Sequence, residues 1–124
     1  MGSLILDASV LIGLLDRADA HHSRAVDDVE RADQAGQVLF APASAYGEAL
    51  VAFARAGRTH EARDALASMG IGIAPLTATM AERAAEVRVR HRHLRLPDAI
   101  VVACAEELDG KVLTYDERLR RTAQ

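Results

Sequence analysis

Four carboxylates stand where a carboxylate has no ordinary reason to be. Asp7 lies inside the stretch 4–15, LILDASVLIGLL, which is otherwise almost wholly apolar. Glu48 has Ser44, Ala45, Val51 and Ala52 as its neighbours one helical turn away. Asp98 opens the most apolar helical stretch of the chain, with Val101 and Val102 one turn on. Asp116 follows an apolar run and lies next but one to Thr114. A buried carboxylate without a partner is costly or must take up a proton. Four that converge also repel one another and raise each other's pKa values. A hard divalent cation removes that conflict. Mg²⁺ or Mn²⁺ favours carboxylate and water oxygens and keeps several waters. On this reading Asp7 and Asp98 bind metal directly, and Glu48 and Asp116 complete the cluster directly or through water. Ser9 and Thr114 orient waters or tune the acids. Plainer readings stand beside these: Asp98 favours a helix dipole, and Asp116 is an N-cap. The other helical acids, such as Asp27, Glu61 and Glu106, read as solvated surface.

Other chemistries find less support. His91 and His93 fall two apart on a predicted helix and so do not share a face. His21 and His22 are adjacent on a polar helix. Acid–base catalysis by paired histidines is therefore not expected. One cysteine and scattered histidines form no zinc set. Asp7-Ala8-Ser9 lacks the D-x-D of a phosphatase that works through an aspartyl phosphate. No acceptor aspartate follows residues 71–74, as a receiver domain requires.

The elements that must position these acids follow from apolar periodicity and stop signals. Residues 4–6 read as a buried strand feeding a helix over 8–15. A helix over 20–35 ends at Gly36, and a strand over 38–40 closes at Pro42. Helices are expected over 43–56 and 59–69, the second with Thr59 as N-cap. A strand over 71–74 closes at Pro75. Thr79 and Glu82 form a capping box for a helix to about His93. Pro97 opens a helix to Leu108 that is apolar nearly all round, and so central and covered. Asp109-Gly110 turns the chain into a strand over 112–114, followed by a helical turn over 117–121. Short apolar strands alternating with helices argue an α/β fold with a parallel sheet covered on both faces. Ligands bind such sheets at the carboxyl ends of the strands, near a switch point. That rule selects Asp7 and Asp116.

Bulk properties narrow the partners. The 124 residues suit a single domain, 1–124, and half of them are apolar. Only 3% are aromatic, so Ala, Leu, Val and Ile must build the core. A net charge of −3 argues against a broadly basic surface. Two local basic concentrations remain: Arg88, Arg90, Arg92 and Arg95 with His91 and His93 between them, and Arg118, Arg120 and Arg121. Each reads as a solvated face or as a phosphate track. Tyr46 and Tyr115 read as packing or as platforms for a base. The lone Cys104 reads as a small buried hydrophobe and fits a reducing cytoplasm. Neither a membrane span nor a signal peptide is expected.

Taken in order, Leu6-Asp7-Ala8-Ser9, Gly47-Glu48-Ala49-Leu50, Arg95-Leu96-Pro97-Asp98-Ala99 and Leu113-Thr114-Tyr115-Asp116 resemble the signature blocks of PIN-domain ribonucleases. The nearest likeness is to the VapC toxins of bacterial toxin–antitoxin pairs. No block is specific alone; the ordered set spans essentially the whole chain. The resemblance implies a three-layer α/β/α PIN-like fold with a short parallel sheet of four or five strands. It departs from the family soon after Arg121, where a further strand often follows, so a four-stranded sheet is the expectation here. It implies a Mg²⁺- or Mn²⁺-dependent endoribonuclease acting on single-stranded RNA through Asp7, Glu48, Asp98 and Asp116. It also implies a VapB-type antitoxin, operator DNA reached only through that antitoxin, and a homodimer. The alternative is a catalytically weak PIN-like module that acts by binding an antitoxin.

Overall fold

The computed structural model describes residues 2–123. The chain runs β1 (Ser3–Leu6), α1 (Ala8–Leu15), α2 (His22–Gln34), β2 (Val38–Pro42), α3 (Ala43–Arg55) and α4 (Thr59–Ser68). It continues with β3 (Ile71–Ala74), α5 (Ala78–Arg90), α6 (Leu96–Glu107), β4 (Gly110–Leu113) and α7 (Glu117–Ala123). Four parallel strands form one sheet in the order β3-β2-β1-β4. Strand side chains alternate between faces. Leu4, Leu6, Leu39, Ala41 and Leu113 therefore pack with α1, α2 and α3, whereas Ile5, Phe40 and Val112 pack with α5 and α6. This is the expected α/β/α sandwich, and four strands make up its sheet among the described residues.

α6 is buried from Ala99 through Ala105. Four of those seven residues are alanine or cysteine, which lets α5 and the sheet approach closely. Its one cysteine, Cys104, is 1% exposed, and burial ahead of the nearby Glu107 pushes its thiol up to about 11.

Several expected boundaries move, each for a local reason. α5 is capped by Thr77, whose hydroxyl accepts from Met80 N at 3.1 Å, so Thr79 lies inside the helix and opens no capping box. The helix stops at Arg90, short of His93, because the following turn carries Leu94 into the core, where it is 1% exposed. Thr59 is already helical, and Arg58 precedes it as the cap position. At the Asp109-Gly110 turn the left-handed residue is Asp109, with φ 49°. Gly110 is needed for close approach instead: a Cβ there would lie 2.7 Å from the Ser3 carbonyl of its partner strand. Gly110→Ala should therefore destabilise the fold by about 1–3 kcal/mol, the usual cost of forcing atoms into a packed site. Asp109→Gly, which relieves a left-handed residue, should leave stability within about 1 kcal/mol of wild type. Urea unfolding midpoints of the two variants check this.

Candidate functional site

The strand order reverses at β1, which has β2 on one side and β4 on the other. The crevice beyond the carboxyl ends of β1 and β4 is thus the switch point of the sheet. A cleft of about 220 Å³ opens there, lined by Asp7, Ser9, Glu48, Arg95, Asp98 and Asp116 among others.

Asp7 directly follows β1 and is 6% exposed. Its Oδ1 caps α1, accepting from Val10 N at 3.2 Å, and accepts from Ser9 Oγ at 2.6 Å. Its Oδ2 accepts from the Thr114 hydroxyl. Ser9 Oγ in turn accepts from Tyr115 N, and Thr114 Oγ1 from Asp116 N, each at 3.0 Å. Burial raises the Asp7 pKa, and the hydroxyl and backbone donors act against that rise without cancelling it. Asp98 is the third residue of α6. Its Oδ2 accepts from Arg95 N at 3.2 Å, with the guanidinium Nε at 3.8 Å. Asp116 caps α7: its Oδ1 accepts from Arg118 N at 2.9 Å and Leu119 N at 3.3 Å. Asp98 thus stands in the first turn of α6, where it faces the helix dipole as read from the sequence, and Asp116 takes the N-cap role read for it. These contacts leave each acid's second oxygen free of backbone donors.

Glu48 differs from expectation. Its apolar neighbours on α3 are divided: Ala45 is buried, whereas Ala52 is exposed and Val51 is 46% exposed, and Glu48 itself stands at the cleft's rim. Its pKa is nevertheless raised, first by desolvation, then by the charge of Asp98, with Arg95 opposing and Asp7 adding. The carboxylates sense one another. Among the described residues no three acid, histidine or cysteine side chains converge closely enough to enclose an ion by themselves. The donor set is all hard oxygen, which suits an ion that takes few protein ligands and keeps its waters.

The arginines divide. Arg95 lines the cleft, whereas Arg90 pairs with Glu106 at 3.2 Å beside the far end of α6. Arg88 reaches the Arg92 carbonyl, and none of Arg88, Arg90 and Arg92 lines the cleft. Tyr115 is turned away from it: its hydroxyl donates to Asp28 at 2.8 Å, Arg24 lies 4.4 Å over its ring, and His21 stacks at 4.7 Å. Tyr46 packs against the core on the α1–α3 face. The Tyr115 anchor to α2 holds the backbone N–H that orients Ser9. Nothing in the spacing of residues 21–28 and 115 signals it.

A family model described as PIN domain matches residues 4–124. The chain belongs to the PIN domain family. Among curated proteins no sequence matches this PIN domain significantly. Solved structures share its fold. VapC20 of Mycobacterium tuberculosis, described as a sarcin–ricin loop cleaving toxin, superposes with TM-score 0.72 at 21% identity, over 96% of this chain and 94% of that one. A toxin–antitoxin complex from Klebsiella pneumoniae gives 0.72 at 22% identity, over 92% and 87%. VapBC2 of Rickettsia felis, bound to a DNA fragment from its promoter, gives 0.74 at 10% identity, over 96% and 92%.

The raised pKa of Asp7 makes a signed prediction for the metal-free PIN domain. A carboxyl group whose folded pKa exceeds its ordinary value of 3.8 stabilises the fold fully below that value. That contribution is lost as pH rises through the folded pKa. The melting temperature of wild type in EDTA should therefore fall relative to Asp7→Asn as pH rises from 4 to 7.5. A pH-independent difference between the two would contradict it.

Proposed function

We propose that this PIN domain is a Mg²⁺- or Mn²⁺-dependent endoribonuclease, the toxin of a toxin–antitoxin pair. It hydrolyses single-stranded RNA to leave a 5′-phosphate and a 3′-hydroxyl. The observation that carries the reading is the lining of one switch-point cleft by four carboxylates, in a chain that the PIN model covers from residue 4 to 124. The VapC20 likeness adds support, since that protein is described as cleaving the sarcin–ricin loop.

Asp7 and Asp98 hold the ion, and Glu48 and Asp116 complete the site directly or through water. When bound, the ion supplies positive charge against the phosphate oxygens and acidifies a water. Ser9 and Thr114 keep both Asp7 oxygens oriented. Asp116 spends Oδ1 on the α7 backbone and turns Oδ2, with the Arg118 guanidinium 3.6 Å away, to the cleft. Glu48 has a raised pKa and a place at the rim, so we assign it to take the proton of the attacking water at its carboxylate. Arg95, tethered to Asp98, presents its guanidinium to the scissile phosphate.

The same proposal includes a VapB-type antitoxin, through which operator DNA is reached, and a homodimer. A groove of about 510 Å³ supports an apolar antitoxin segment. It is lined by Ile12, Leu15, Val51, Ala52 and Phe53 and shares Ile12 and Glu48 with the acid cleft. The known complexes of the Klebsiella and Rickettsia neighbours support a partner of this kind. The chain acts as one domain in the cytoplasm, a reading supported by its single, buried, unpaired cysteine.

Cleavage of defined single-stranded RNAs tests the proposal. Activity should require Mg²⁺ or Mn²⁺ and stop in EDTA. Asp7→Asn and Asp98→Asn should each lower kcat/KM at least about a hundredfold, the scale of losing a group that stabilises the transition state. Activity that survives EDTA, or both substitutions, overturns it.

A further inference from the structure

The two basic concentrations of the sequence do not act as two separate tracks. Part of each is brought together in one place. The turn after α5 and the helix α7 meet around a second cleft of about 530 Å³, lined by His91, His93, Arg118, Arg121 and Thr122. No acid lines it. Because α5 stops at Arg90, His91 and His93 leave helical spacing and reach one cleft, with their rings 6.1 Å apart. Thr122 Oγ1 donates to the Arg118 carbonyl at 3.0 Å, so in its 2.7 Å bond with His93 the ring Nε2–H donates. That bond fixes the turn against α7. Arg121 pairs with no acid among the described residues, and Arg118 bridges outward, with Nη2 3.6 Å from Asp116 Oδ2. α7 thus joins this cleft to the acid cleft: Asp116 lines one and Arg118 the other.

We propose that the His91–His93–Arg118–Arg121 cleft binds a backbone phosphate of the RNA strand beside the cleavage position. This rests on the nuclease reading and assigns a strand-holding subsite to it. The need for one is electrostatic. The chain carries a net charge of −3, and the cleft that must receive the scissile phosphate is lined by four acids. Its one arginine, Arg95, is assigned to the scissile phosphate itself and leaves the neighbouring phosphates without a cation in that cleft. RNA must therefore be held by positive charge nearby, and this arginine- and histidine-lined cleft, linked through Arg118 to Asp116, supplies it.

Anisotropy of a short fluorescein-labelled single-stranded RNA in EDTA, titrated over a range of KCl, tests the subsite. The variants are His93→Gln with Arg121→Gln, and as a control Arg88→Gln with Arg90→Gln. The first pair should weaken binding about tenfold and flatten the slope of log affinity against log salt by about 0.7 for each phosphate no longer neutralised. With Mg²⁺, KM should rise and kcat at saturating RNA should stay at the wild-type value. The control pair should leave the slope unchanged. An unchanged slope in the first pair, or an equal fall in the control pair, overturns the proposal. So does unchanged RNA binding with lost binding of polyglutamate, which would make the cleft a protein-binding surface. A wild-type protein that neither binds nor cuts RNA fails the nuclease reading itself. Normal cutting with an unchanged slope fails only the subsite.

Discussion

The buried carboxylate of Asp7 ties together parts of the chain that are remote in sequence. One oxygen caps α1 and takes the Ser9 hydroxyl; the other takes Thr114, 107 residues away. Ser9 and Thr114 then accept the backbone N–H groups of Tyr115 and Asp116. The end of β1, the start of α1 and the turn from β4 to α7 thereby share one network. It is satisfied but not relaxed. Desolvation outweighs four favourable donors, so the ionised acid works against the fold that holds it.

Topology explains why the strain gathers in one place. With β1 central and the order β3-β2-β1-β4, the strand ends of β1 and β4 open on one crevice. α6 is covered along Ala99–Ala105 and presents Asp98 at its N-terminal end. α3 adds Glu48 from the opposite wall, close enough for Asp98 and Asp7 to raise its pKa. Three of the acids, Asp7, Asp98 and Asp116, are held by helix capping, and the sheet order makes them neighbours. The proposed cation answers the repulsion that Glu48 meets from Asp98 and Asp7.

Much of this was legible in the sequence because it depends on local pattern. The apolar run 4–15 with one acid yields β1 and α1, and four short apolar segments between helices yield the parallel sheet. The acids of one cleft were legible as carboxylates in apolar company, although for Glu48 only Ala45 of that company is buried and Val51 and Ala52 are exposed. What was not legible depends on tertiary placement. Leu94 must enter the core, which ends α5 early and sends His91 and His93 to a common cleft. The anchoring of Tyr115 by Asp28, Arg24 and His21 joins residues that no spacing rule connects. Gly110 is required by the nearness of Ser3 across the sheet, and that is invisible along the chain.

A divalent cation in the four-acid cleft would relieve the repulsion among its carboxylates. Thermal unfolding of the metal-free protein, with Mg²⁺ or Mn²⁺ added stepwise, tests this without any substrate. Binding to the folded state alone raises the melting temperature as the ion saturates its site. Wild type should show a saturable rise, and Asp7→Asn and Asp98→Asn should show little or none. No rise in wild type, or the same rise in all three proteins, would contradict the account.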